Sequence, residues 1–131
     1  MSFEQTEGLI GWCAGLFDGE GNVNYAQYNV KGKKYKKWNV AMEIAMTHLE
    51  TVHFFHQVIG EGTIHHKANK GLGRKPQWRW RCSHQQALRV AKKLIKYSTT
   101  KRLKLMQIIN HYEFVKPTST LGKRSSFFKQ V

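Results

Sequence analysis

Asp18 and Glu20 stand two residues apart in the stretch GWCAGLFDGEGNVN, residues 11–24, with Gly19 between them and Gly21 behind. The other six acids, Glu4, Glu7, Glu43, Glu50, Glu61 and Glu113, are scattered along the chain. Carboxylates brought close together repel unless a divalent cation sits between them, and magnesium takes oxygen ligands. The chain carries 22 Lys+Arg against 8 Asp+Glu, a net charge of +14. Paired carboxylates on so cationic a protein point to metal-assisted phosphodiester hydrolysis, in which metal ions stabilise the attacking and leaving oxygens. A surface turn after a helix is the competing reading of DGEG taken alone.

The residues before this motif specify how it is presented. Thr6 as N-cap, Glu7 in the first turn, and Leu9, Ile10, Cys13, Leu16 and Phe17 at helical spacing predict a helix over about 7–18. Gly19 and Gly21 are expected to end it. Glycine inside a helix costs about 1 kcal/mol relative to alanine. Gly8, Gly11 and Gly15, three and four residues apart, therefore suggest close approach of a second helix. With Trp12 they form the candidate contact surface for a second copy of the chain.

Downstream, the sequence reads as two hairpins separated by a helix. VNYAQYNV leads into the turn-like KGKK, and WNVAMEIAMT alternates, with Trp38, Val40, Met42, Ile44 and Met46 on its apolar face. His48 to Ile59 is helical in pattern and GEG at 60–62 stops it. TIHHK, the loop ANKGLGRKP and QWRWRC form the second hairpin. Ser83 and Gln86 suggest a capping box for a helix to about Tyr97, and Thr99 or Thr100 starts another to about Val115. The order αββαββα, with one further helix, makes an α+β domain. Four antiparallel strands, apolar on one side and polar on the other, form a sheet backed by helices. The whole chain, 1–131, reads as one domain with a core over about 6–115 and a basic tail at 116–131.

The polar side has the residue types that read base edges. Asn22, Asn24, Tyr28, Asn39, Thr47, Thr63, His65, Lys67, Gln77, Arg79 and Arg81 fall on it, amides suiting adenine and arginines guanine. Lys33, Lys34, Lys36 and Lys37 at one hairpin tip, and Lys70, Arg74 and Lys75 at the other, are candidates for phosphates. A strand of about 8 residues at ~3.3 Å each covers about 8 base pairs. Double-stranded DNA is the expected partner.

Other constellations yield nothing comparable. His53 with His56, Cys82 with His84, and the adjacent His65 and His66 lack the second ligand pair a zinc site needs. Cys13 and Cys82 lie in apolar periodic segments and read as core thiols. No apolar run is long enough to cross a bilayer, so no membrane partner is expected. The N-terminal MSFEQTEG has no secretory or transit character, so an intracellular location is expected.

CAGLFDGEG at 13–21 resembles the LAGLIDADG motif of homing endonucleases. Ala14, Gly15, Leu16, Asp18 and Gly21 agree, Phe17 and Glu20 are conservative, and Cys13 and Gly19 are small replacements. The αββαββα order is similar to that of single-motif members, and WRWRCS resembles the family's last strand. The resemblance implies the LAGLIDADG fold, a DNA-binding saddle of four strands. It also implies a site-specific, divalent-metal-dependent double-strand DNA endonuclease that leaves short 3′ overhangs. Magnesium is the implied cofactor, with manganese or calcium able to occupy the same site.

The family's metal-binding acid corresponds to Glu20, with the Gly19 carbonyl contributing, and Asp18 corresponds to the acid that ends the helix. A solvent-positioning residue falls at Thr47 or His48, with His48 favoured. A lysine near the scissile phosphate falls at Lys101, or alternatively Lys96, because an ungapped comparison places Ser98 there. The sequence holds one copy of the motif, so a homodimer on a pseudo-palindrome of about 16–20 base pairs is expected. The alternative is a non-catalytic binder, or an intron maturase using the same scaffold for intron RNA; retention of Glu20 favours catalysis.

Overall fold

A computed structural model describes residues 2–67 and 75–114. Helix α1 (Phe3–Glu20) leads directly into strand β1 (Gly21–Asn29), which turns back as β2 (Lys36–Met46). Helix α2 (Leu49–Ile59) precedes the second hairpin, β3 (Thr63–Lys67) and β4 (Gln77–Ser83). Helices α3 (Gln85–Leu94) and α4 (Arg102–Ile109) follow, and a π-helical turn over Asn110–Phe114 ends the described chain. The strands lie in the order β1-β2-β4-β3, every neighbouring pair antiparallel. The expected α+β architecture is present. Among the described residues no helix is long and apolar enough to cross a membrane.

The sheet is covered on one face by helices, and the core lies between the layers. Phe17, Cys13 and Ala14 of α1 meet Val40, Met42 and Ile44 of β2, with Val52, Phe55 and Ile59 of α2 and Ala87, Val90 and Leu94 of α3 on either side. Trp80 is fully buried at the centre, edge-on to Phe55 at 4.8 Å, and donates its indole N–H to the Glu61 carbonyl at 2.8 Å. Burying a side chain of that size contributes on the order of 5 kcal/mol. Gly62 allows the close passage: its φ is +91°, and a Cβ there would lie 2.5 Å from the Trp80 indole nitrogen. Burial pushes the free thiols of Cys13 and Cys82 up to about 12, as expected of core cysteines.

Element ends depart from the sequence expectation. Ser2, not Thr6, caps α1: its hydroxyl accepts from the Gln5 amide at 3.2 Å, and the Gln5 side chain accepts from the Ser2 amide at 3.0 Å. Gly19 remains helical, and Gly21 is the cap, in extended backbone. His48 is the N-cap of α2 rather than its first residue. The Ser83–Gln86 capping box does not form, because Ser83 is committed to the β-ladder opposite Ala41. His84 takes the N-cap with φ +54° and no side-chain bond. Helix α3 ends at Leu94 rather than near Tyr97, and α4 starts at Arg102 rather than at Thr99 or Thr100.

Candidate active site and reading face

The motif's two carboxylates have different surroundings. Asp18 faces the connection between α3 and α4. Its Oδ1 accepts from Ser98 Oγ at 2.5 Å and the Lys101 amide at 3.2 Å; its Oδ2 accepts from the Thr99 amide at 2.8 Å and Thr99 Oγ1 at 3.1 Å. The Asp18 carbonyl accepts from Thr100 Oγ1 at 3.0 Å and Lys101 Nζ at 3.3 Å. Asp18 thus supplies, from another helix, the cap that Lys101 as N-cap residue does not make for α4. Partial burial raises the Asp18 carboxyl, but the hydrogen bonds from Ser98, Thr99 and Lys101 outweigh it and hold the group below its ordinary value.

Glu20, the last helical residue, is exposed and makes no side-chain hydrogen bond or ion pair among the described residues. It sits at a helix C-terminus, where carbonyls lack intrahelical partners and the dipole favours a cation. The Gly19 carbonyl lies in that last turn. A carboxylate without a protein partner beside such a carbonyl is an oxygen donor set that suits a hard divalent ion. Among the described residues no cluster of three or more His, Cys, Asp or Glu gathers.

The two candidate lysines are separated by tertiary structure. Lys101 lies against the Asp18 carbonyl at the motif end of α1. Lys96 pairs with Glu7 at 2.9 Å, and Tyr97 donates to the same carboxylate. Glu7 lies eleven residues before Asp18, about 17 Å along the helix. Ser98, at the position where an ungapped comparison expects lysine, is buried on Asp18. His48 has its Nδ1 on Thr51, 2.7 Å from Oγ1 and 3.3 Å from the amide, and its Nε2 is 2.8 Å from Glu50. Its ring is occupied in capping α2. Exposed Thr47 follows β2 at the end of the sheet where β1 begins, since Gly21 pairs with Ile44.

The strand register gathers the polar residues. Asn22, Asn24, Ala26 and Tyr28 stand opposite Glu43, Ala41, Asn39 and Lys37. Glu43 and Ala45 stand opposite Arg81 and Arg79, which in turn face Thr63 and His65, and Gln77 faces Lys67. Directly paired residues share a face, so all of these point away from the helices. Thr63 and His65 are joined at 2.9 Å through Oγ1 and Nε2. Lys36 pairs with Asn29 and so has the opposite parity. Lys33 and Lys34 are exposed in the turn around Gly32. Lys75 is exposed; Lys70 and Arg74 lie outside the described residues.

Sequence reasoning missed the part played by Glu43. Its Oε2 lies 3.3 Å from Arg79 Nε and 3.8 Å from Arg81 Nη1, placing one anion among the candidate reading cations. A lone acid in phase with two arginines of a facing strand was the available signal.

No family profile and no curated protein matches the sequence. Solved structures do match. The homing endonuclease I-CvuI, in complex with the I-CreI target in the presence of magnesium, superposes with a TM-score of 0.72, covering 92% of this chain and 75% of its own at 16% identity. The archaeal intron-encoded homing endonuclease I-Vdi141I, complexed with DNA, covers 98% of both chains with a TM-score of 0.58 and 11% identity. The LAGLIDADG meganuclease I-AabMI, bound to uncleaved DNA, gives 0.62 over 89% of this chain and 40% of that one, at 16% identity. The chain has the LAGLIDADG homing-endonuclease fold.

In this LAGLIDADG fold the motif helix α1 keeps an open stripe. Added Cβ atoms at Gly8, Gly15 or Gly19 meet nothing within 4 Å, and Trp12, on the same stripe, is 40% exposed and packs edge-on against Phe54 at 5.1 Å. Gly11 is placed differently: a Cβ there would lie 3.9 Å from the Tyr97 ring, so this glycine faces the end of α3. Beside the stripe lies a groove of about 320 Å³ lined by Thr6, Leu9, Ile10, Phe54, Gln57 and Val58.

Proposed function

We propose that this protein is a site-specific, divalent-metal-dependent double-strand DNA endonuclease that acts as a homodimer. The observation that carries the reading is the contrast within the motif. Hydrogen bonds to the α3–α4 connection occupy Asp18, while Glu20 is exposed and continuous with a strand bearing Asn22 and Asn24. Magnesium, held by Glu20 and the Gly19 carbonyl, would activate solvent and offset charge on the phosphate. Lys101, beside the Asp18 carbonyl, supplies a point charge for the developing pentavalent phosphate. Thr47 orients solvent at the same sheet end, a role for which the ring of His48 is less available than the sequence suggested.

The open stripe of Gly8, Trp12, Gly15 and Gly19 is the surface on which a second copy packs, bringing two Glu20 residues to a common axis. The paired sheets then read a pseudo-palindrome of about 16–20 base pairs, and cutting near its centre leaves short 3′ overhangs. Incubation with a randomised duplex pool and magnesium tests this reading. Cleavage should stop with EDTA, and Glu20→Gln should lose more than about a hundredfold in cutting rate while keeping binding. Full cutting by that variant sinks the mechanism. Intron RNA bound in preference to every duplex would move the scaffold to RNA.

A further inference from the structure

Glu43 is the one acid on the four described strands, and it stands near the middle of the polar face, in register between Asn22 of β1 and Arg81 of β4. Its side chain is 25% exposed, while those of Arg79 and Arg81 are 32% and 37% exposed. One oxygen, Oε2, lies near both guanidinium groups. That oxygen and Arg79 Nε are buried and lack an aligned hydrogen bond, although they are 3.3 Å apart. The attraction is therefore coulombic and set by position rather than by a directional bond.

We infer that Glu43 is a specificity-determining residue, which restrains Arg79 and Arg81 for base reading and keeps them from general phosphate contact. The inference rests on the proposed DNA-reading role of the sheet. Each guanidinium has five N–H donors. Glu43 approaches Arg79 at Nε, so the two terminal nitrogens, which make no hydrogen bond among the described residues, stay available to pair with guanine O6 and N7. Without the carboxylate, two adjacent cations repel one another and are free to follow phosphates, which carry no sequence information. Glu43 itself repels phosphate, and its second oxygen can accept from the exocyclic amino group of a cytosine.

The test is selection from a randomised duplex pool, with affinities for selected and unselected duplexes measured across a salt series. For Glu43→Gln, discrimination at the base pairs under Arg79 and Arg81 should fall about tenfold and remain unchanged elsewhere. Affinity for unselected duplex should rise, and the salt slope should steepen by about one. Melting curves accompany each variant. If Glu43→Gln is unfolded at the assay temperature, Glu43→Asp, which keeps the charge but withdraws it from Arg79, should give a smaller broadening at the same positions. A selected site read identically by the folded variant overturns the role of Glu43 alone. Wild-type protein that selects no sequence overturns the reading face as well.

Discussion

The sheet face and the outer face of α3 are both rich in cations, yet they hold their charge differently. On α3, Arg89 contacts both carboxylate oxygens of Glu61 at 2.8 Å and Lys92 meets Glu113 at 2.6 Å; just beyond its end, Lys96 meets Glu7 at 2.9 Å. Lys93 donates to the Ile59 carbonyl at 2.7 Å, closing the end of α2. On the sheet, Glu43 is the single acid that the described strands provide. A net charge of +14 does not by itself identify a binding surface. The placement of the few acids makes the strands the candidate, because three of the four cations on α3 and at its end have an acidic partner while the strands hold one acid. Exposed ion pairs add little to stability, so their main effect on α3 is electrostatic.

Replacing Lys33, Lys34 and Lys37 together by glutamine tests this contrast most severely. Duplex affinity should fall about a hundredfold at moderate salt, with a salt slope shallower by about three. Equal binding by this variant would mean that the sheet is the wrong surface. Next in size is Asp18→Ala, which should destabilise the fold by about 2–3 kcal/mol in a denaturant titration. The folded-state value of Asp18 is depressed, so its contribution is complete above the ordinary carboxylate value near pH 4 and is lost as pH falls through the folded value. The stability gap between wild type and Asp18→Ala should therefore close in acid. A gap independent of pH would show that packing, not charge, holds the connection.

The joint between the two surfaces gives a smaller effect of opposite sign. His84 carries the chain from β4 into α3 with φ +54°, a conformation that favours glycine. His84→Gly should raise stability by about 1 kcal/mol, read as a higher melting temperature. Smallest is the change on α3: Lys92→Gln should alter duplex affinity by less than about twofold, since Glu113 already offsets that charge. A loss as large as that from a hairpin lysine would erase the distinction between the faces.

Periodicity was enough to separate the two faces. The alternation in WNVAMEIAMT and QWRWRC places the polar side correctly, because a strand's parity is a local property that pairing preserves. The start of α1 was misplaced at Thr6, although Ser2 and Gln5 have the capping-box spacing that would have located it. Where Ser83 would cap a helix, a ladder formed forty residues away decided otherwise. The connection after α3 and the separate placements of Lys101 and Lys96 involve Asp18 and Glu7, some eighty to ninety residues distant. No local pattern encodes such partnerships. For Glu43 the phase with Arg79 and Arg81 could be read from the strands, but the contact itself comes from the pairing of β2 with β4.

Helix α1 becomes strand β1 without an intervening loop. The Gly21 amide still bonds the Phe17 carbonyl, and a Cβ at Gly21 would strike the Phe17 ring at 2.4 Å. Under the proposed function the junction would work as a ruler without slack: a duplex seated on Asn22 and Asn24 would present its backbone to Glu20 at an offset that no loop length can adjust. An endonuclease built this way would acquire new target sequences by exchanging strand side chains, while the distance from recognised bases to the cut stayed fixed by the core beneath.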